Sequence, residues 1–159
     1  MHEQDEVDLE RLRQQVVGWL ARREHSRQEV RQKLVRRYGA RADLDPLLDE
    51  LEEAGLLSDR RFAESLTRMR SGRGYGPLRV RAELTAKGVR SAAVEQALQE
   101  EKPDWLQLAR EALRKKFGTQ PATDRESRAR QYRFLAQRGF SSEQINGALA
   151  SLAESEDFG

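Results

Sequence analysis

Near neutral pH, proton transfer, nucleophilic attack and metal binding rely mostly on histidine, cysteine and clustered carboxylates. This 159-residue chain has two histidines, His2 and His25, and no cysteine. His25 stands directly before Ser26, and no second histidine, cysteine or carboxylate is spaced to complete a general-base or metal site around it. It reads as the neighbour of a helix cap. Six carboxylates crowd together at Asp43, Asp45, Asp49, Glu50, Glu52 and Glu53, without the glycine or the ligand spacing of a calcium loop. They read as a solvated helix face or a docking surface for a basic partner. Ser71-Gly72-Arg73-Gly74-Tyr75-Gly76-Pro77 is the glycine-rich stretch. It precedes a helix N-terminus, where backbone donors hold anions, but it follows a helix and lacks the Gly-Lys-Ser/Thr ending of a P-loop. Its two readings are a flexible joint between helices and a phosphate or partner contact through Arg70 and Arg73. No catalytic, cofactor-binding or metal-binding residue is assigned, so the expectation is a binding protein rather than an enzyme, with no cofactor.

The charges are arranged rather than scattered. The net charge is +2, but it is the sum of 29 cations and 27 anions, and 24 of the cations are arginine. Ser26 to Tyr38 holds five cations and one anion, whereas Asp43 to Gly55 holds six anions and no cation. The pattern returns more mildly: 77–88 nets +2, and 90–101 nets −2. Residues 124–138 net +3, and 141–153 net −1. A helix-turn-helix reader would put its third helix into the major groove, where six carboxylates would be repelled by phosphates. Sequence-specific operator binding by the first module is therefore disfavoured, while the basic middle helices remain able to touch phosphates or an acidic protein surface.

The positioning elements are helices. Leu9, Leu12, Val16, Trp19 and Leu20 recur at intervals of three and four, as one face of an amphipathic helix does. Ser26-Arg27-Gln28-Glu29 is a capping box opening a second helix that ends near Gly39. Asp45-Pro46 opens a third, stopped at Gly55. The order then repeats: Asp59 to Arg70 with Phe62, Leu66 and Met69 on one face; Gly76-Pro77 to Gly88; and Ser91 onward with Val94 and Leu98. A third pass opens at Pro103, continues from the box Thr123-Asp124-Arg125-Glu126 to Gly139, and closes from the box Ser141-Ser142-Glu143-Gln144. The junctions around Gly88 and Gly139 superimpose, and their following apolar pairs fall at equal distances. The reading is an all-α chain of three tandem three-helix repeats. Its expected divisions are 1–57 with an acidic N-terminus, 58–102, 103–153 and an acidic tail at 154–159. No apolar run approaches a bilayer span and no secretory signal is present, which points to a cytoplasmic protein with no membrane partner.

Particular residues also resemble a known family. Arg23-Glu24-His25-Ser26-Arg27-Gln28-Glu29-Val30 with Lys33-Leu34, then Leu56-Leu57-Ser58-Asp59 leading to Phe62-Ala63 and Arg70, and then Gly74-Tyr75-Gly76-Pro77 leading to Glu83-Leu84 and Lys87-Gly88 are similar to the bacterial RecX regulatory proteins. Val30 stands where leucine is commoner, and the first repeat ends in a longer Arg36-Arg37-Tyr38-Gly39. The resemblance implies three three-helix repeats in an elongated, curved body. It also implies a negative regulator of the RecA recombinase that lies in the groove of the RecA filament on single-stranded DNA. Filament extension, ATP hydrolysis, strand exchange and stimulation of repressor cleavage in the SOS response would all be reduced. The implied partners are RecA and, as a second contact, single-stranded DNA, with the protein acting as a monomer. The family motif is largely structural, so the expected contact residues come from the basic middle helices and the glycine-rich joint: Arg27, Arg31, Arg70, Arg73, Arg79 and Arg81. The alternative is a nucleic-acid-binding module acting by general phosphate attraction.

Overall fold

The computed structural model describes the backbone from His2 to Asp157 and the side chains of residues 9–154. The side chains of the acidic N-terminus through residue 8 and of the tail from residue 155 lie outside the described residues, as do Met1, Phe158 and Gly159. Within the described residues there are nine α-helices and no strand, in three successive sets of three. They are α1 (His2–Arg22), α2 (Arg27–Tyr38) and α3 (Leu44–Glu53); α4 (Asp59–Gly72), α5 (Pro77–Ala86) and α6 (Ser91–Glu101); and α7 (Trp105–Phe117), α8 (Arg125–Gln137) and α9 (Ser142–Asp157).

The capping boxes at Ser26 and Ser141 form: the Glu29 amide donates to Ser26 Oγ and the Gln144 amide to Ser141 Oγ, each with the reciprocal bond in place. Four helix starts differ from the sequence reading. α1 begins at His2, upstream of its apolar stripe. α3 begins at Leu44, one residue before Asp45, because Leu44 is fully buried and so is drawn into the helix with Leu47, Leu48 and Leu51. Asp43 precedes it without capping, its carboxylate held instead by Arg41 at 2.7 and 3.0 Å. α7 starts at Trp105 rather than at Pro103, because Asp104 accepts the Gln107 amide at 3.1 Å. α8 is capped by Asp124, which accepts the Ser127 amide at 2.7 Å, so the box at Thr123 does not form.

The chain divides into two compact units, Met1–Ser65 with Leu84–Glu95, and Leu66–Glu83 with Gln96–Gly159. In the first, Leu12 and Val16 of α1 pack with Val30 and Leu34 of α2 and the four leucines of α3. In the second, Ala109, Ala112 and Leu113 of α7 pack with Leu135 of α8, Phe140, and Ile145, Ala148 and Leu149 of α9. Each fully buried leucine contributes about 1.5–3 kcal/mol, so these stripes rather than helix propensity hold the short helices. On α4 the buried residues are Phe62, Ala63, Leu66 and Thr67, and Met69, expected on the apolar face, is 41% exposed. Buried Thr67 marks where the stripe turns away from it.

Each unit contains one copy of the same junction. In the first, the start of α2 meets the turn between α5 and α6: Ser26 Oγ donates to the Lys87 carbonyl at 2.8 Å, and Gln28 Nε2 donates to the Ala86 carbonyl at 3.1 Å. In the second, the start of α5 meets the turn between α8 and α9: the Gly76 amide donates to the Arg138 carbonyl at 2.8 Å and the Leu78 amide to the Gly139 carbonyl at 2.9 Å. Both turns end in a glycine in the left-handed region, Gly88 at φ +83° and Gly139 at φ +96°, which lets the chain leave one helix and enter the next.

Candidate functional site

The glycine-rich stretch is hydrogen-bonded along its length. The Arg73 and Tyr75 amides both donate to the Arg70 carbonyl, the Gly74 amide donates to the Ser71 carbonyl, and Gly74 takes φ +83°. The stretch forms a hydrogen-bonded turn between α4 and α5 and meets the junction with α8 through Gly76. This turn delivers Tyr75 beneath two guanidinium groups, Arg79 at 4.0 Å and Arg138 at 4.7 Å from its ring centre. Arg138 also lies 5.4 Å from the Phe134 ring and donates to the Arg73 carbonyl at 3.4 Å. Phe134 is itself fixed edge-on against Phe117, with ring centres 5.5 Å apart. Aromatic faces attract cations, so Arg138 is oriented by rings and a carbonyl rather than by a counter-ion.

Between this turn, α7 and α8 lies a cavity of about 350 Å³. Arg73 and Arg138 line it together with Lys115 and Lys116 from the last turn of α7, and Leu108, Ala112 and Phe134 form its apolar wall. Glu111 is the one carboxylate in the lining. Among the described residues none of these four cations has a carboxylate within ion-pairing distance. Like charges gathered without counter-ions in a concave site raise the local positive potential and favour an anion there.

The six arginines singled out from the sequence fall into different surroundings. Arg27 lies against α3, with Nη1 2.6 Å from Asp49 and 2.9 Å from Glu52, and Nη2 3.6 Å from Asp45. Its pKa is raised, because Glu52 and Asp49 more than offset the burial that opposes its charge. Arg31 reaches Asp45 at 3.2 Å, and Arg13 of α1 reaches Glu50 at 2.6 Å. The acidic face of α3 is thus met by the chain's own arginines. Arg70 pairs with Glu83 at 2.9 Å, and Arg79 approaches the same carboxylate at 3.6 Å. Arg73 is exposed at the mouth of the cavity, and Arg81 is half-buried on α5. Of the six, Arg73 lines the cavity, and Arg79 shares the Tyr75 ring with cavity-lining Arg138; Arg27 and Arg31 belong to the other unit. Sequence reasoning missed Lys115, Lys116 and Arg138, which come from separate helices. The available signal was that the lysine pair and Arg138 each stand just before a helix-stopping glycine.

A second polar cluster surrounds the first junction. Glu29 is buried, and Arg23 at 2.6 Å with Lys87 at 3.5 Å holds its carboxyl below the usual range against the upward push of burial. His25 is 2% exposed, its Nδ1 3.1 Å from the Arg23 carbonyl and its Nε2 2.9 Å from Lys33 Nζ. Lysine donates and the carbonyl accepts, so the ring is neutral with its proton on Nδ1. Burial, together with the charges of Arg23 and Lys33, lowers its pKa. No group of three histidine or carboxylate side chains among the described residues is placed to hold a metal ion. No helix among them is long and apolar enough to cross a membrane.

Among the described residues, nine helices in sets of three, with the same turn repeated at two junctions, define an all-α helical-repeat protein. Comparison with known proteins gives this class its family. Residues 58–98 match the model of the second three-helix domain of RecX, and residues 103–149 match that of the third. A regulatory protein RecX of Pseudomonas putida strain GB-1 is 44% identical over 147 residues, covering 92% of this chain and 94% of the relative. That of Chromohalobacter salexigens is 46% identical over 138 residues, covering 87% and 90%. The crystal structure of RecX from Lactobacillus salivarius shares the fold, with a TM-score of 0.76 at 21% identity over 92% of this chain and 97% of that one. The chain belongs to the RecX family of regulatory proteins.

Proposed function

We propose that this protein is a cytoplasmic negative regulator of the RecA recombinase, acting as a monomer on the RecA filament assembled on single-stranded DNA. It binds in the filament's helical groove and reduces filament extension, ATP hydrolysis, strand exchange and co-protease activity. The observation that carries this reading is the match to regulatory RecX proteins over nearly the whole chain. The tandem construction supports it: modules at 1–57, 58–102 and 103–153 place several weak contacts on one chain, and linked contacts gain strength through effective concentration. Inhibition of this kind needs only a preference for one filament state, with the ATP chemistry left to RecA.

The contact surface proposed is that of Arg27, Arg31, Arg70, Arg73, Arg79 and Arg81. Arg27 and Arg31 would have to leave the carboxylates of α3 to reach a partner, and Arg70 and Arg79 would have to leave Glu83. The test adds the protein, well below the RecA concentration, to active filaments on single-stranded DNA while ATP hydrolysis is followed. Hydrolysis should fall at these low ratios, and reversing Arg79 and Arg81 to glutamate should weaken the fall with helical content retained. A fall only at amounts that coat the DNA, steeply lost with salt, would replace this reading with general nucleic-acid binding. Unchanged inhibition by the folded double variant would remove both arginines from the surface.

A further inference from the structure

The geometry points to the cavity between the Ser71–Gly74 turn, α7 and α8 as a binding site for a nucleoside polyphosphate. Charge is the first argument. Arg73, Lys115, Lys116 and Arg138 face a single lining carboxylate, Glu111, and none of the four is ion-paired among the described residues. Each of the four stands at a helix C-terminus, where the dipole favours a cation: Lys115 and Lys116 in the last turn of α7, Arg138 capping α8 and Arg73 directly after α4. The dipoles do not account for the gathering of all four at one cavity. A side-chain carboxylate or one phosphodiester link brings a single negative charge, whereas a di- or triphosphate brings several to one place. Only the latter comes near to matching the charge of four cations and one carboxylate in a single lining, a net +3.

Size and shape are the second argument. The volume of about 350 Å³ is far larger than one phosphate needs, and it falls in the range of roughly 300–1,000 Å³ usual for small-molecule sites. The cavity is also two-sided. Leu108, Ala112 and the Phe134 ring offer an apolar wall, and the Arg138 guanidinium, steadied by Tyr75 and Phe134, offers a flat cationic one. Bases stack on aromatic rings and guanidinium planes, so the base goes to this wall and the phosphates to Lys115, Lys116 and Arg73. The backbone of the turn that carries Arg73 is already hydrogen-bonded, so ordering on binding falls on the exposed side chains of Arg73, Lys115 and Lys116.

This site does not depend on the RecA reading, and its test uses the full chain alone. Calorimetric titrations with ATP, ADP, AMP, inorganic triphosphate and a thymidine oligonucleotide separate the sources of the phosphate. The expected result is saturation at one site per chain, ATP binding tighter than ADP and at least about tenfold tighter than AMP, and inorganic triphosphate weaker than ATP. Lys115→Ala with Lys116→Ala should weaken ATP by at least about tenfold. Lys115→Arg with Lys116→Arg should retain binding, and replacing an exposed arginine of α1 in the other unit, Arg11→Gln, should leave it unchanged. Exposed Arg73→Ala, which disturbs no ion pair, provides the same test should the lysine variant fail to fold. The proposal is overturned if ATP does not saturate, if triphosphate binds as well as ATP, or if neither the lysine variant nor Arg73→Ala changes the affinity. An oligonucleotide that binds through Lys115 and Lys116 where mononucleotides do not would also overturn it, assigning the cavity to a strand.

Discussion

The starts of α2 and α5 are docked against the same kind of turn by different chemistry. At the first junction side chains make the contact: Ser26 Oγ reaches the Lys87 carbonyl and Gln28 reaches the Ala86 carbonyl, while the paired cluster of Arg23, Glu29 and Lys87 surrounds them. At the second, backbone meets backbone, through the Gly76 and Leu78 amides on the Arg138 and Gly139 carbonyls. Ser26 and Gly76 occupy matching places, each just before its helix and each bonded to the carbonyl that precedes a left-handed glycine. What repeats is therefore the geometry of the turn, and residue type is free to vary wherever the gap between the partners differs. The charges differ in the same sense. Arg27 and Arg31 near the first junction are met by carboxylates of α3, and Arg23 by Glu29. Arg73, Lys115, Lys116 and Arg138 near the second instead line a cavity with one carboxylate, Glu111, and among the described residues none of them is ion-paired to it.

The largest effect should come from closing the gap at the second junction. A Cβ on Gly76 would lie 2.5 Å from the carbonyl carbon and oxygen of Gly139 and from the Phe140 amide nitrogen, all backbone atoms. Gly76→Ser imitates the residue at the first junction, yet it should destabilise by about 3 kcal/mol or more, because the two chains must separate. Ser26→Ala is the reciprocal change. It removes the cap to the Glu29 amide and the bond to the Lys87 carbonyl, and should cost about 1–2 kcal/mol. Urea unfolding of the two variants measures both. Equal costs would show that the contacts at the two junctions are of one kind.

This is also where sequence and structure part. The helix order, the boxes at Ser26 and Ser141, and the equivalence of Gly88 and Gly139 were legible, because each is set by residues within one turn of one another. The starts of α3 and α8 were not: Asp45-Pro46 reads as the opening of α3, but burial draws Leu44 into the helix, and Thr123 stands beside Asp124, whose bond to the Ser127 amide sets the start of α8. The cavity was illegible for a stronger reason. Arg73, Lys115, Lys116 and Arg138 are brought together by the packing of α7 and α8 and by the Gly76 contact, none of which is local. Conversely, the basic stripe of α2 looked like a free surface because nothing local showed α3 lying against Arg27.

A smaller effect separates the junctions by pH. His25 is neutral in the folded chain and its pKa is lowered by burial and by the charges of Arg23 and Lys33. The unfolded chain therefore binds a proton first as pH falls below about 6.5, and stability declines from there until the folded pKa is reached. Glu29 has a lowered folded pKa, held down by Arg23 and Lys87 against burial. Its contribution is present above the unfolded value of about 4.3 and is lost below it. Asp59, raised by burial despite the Arg27 amide at 2.8 Å, works the opposite way in the acid range. Thermal unfolding followed from pH 7.5 to 5.5 should show a falling midpoint that His25→Asn flattens. A slope that the variant leaves intact would move the effect away from the first junction.

The smallest effect tests the contrast in charge through its sign. Removing Arg27 leaves Asp45, Asp49 and Glu52 facing one another on α3 at helical spacing, so Arg27→Ala should cost about 1 kcal/mol at low salt. Added salt screens both the lost attraction and the new repulsion, and the cost should shrink with it. Arg73 has no carboxylate to release and three like charges around the same cavity. Arg73→Ala should therefore stay within about 0.5 kcal/mol and lean toward stabilisation at low salt, with the gain fading as salt rises. Parallel melts of the two variants across a salt series read the two slopes directly. A cost for Arg73→Ala that matches Arg27→Ala and falls with salt in the same way would mean that Arg73, too, is engaged with an anionic side chain, and the cavity would lose its claim to unneutralised charge.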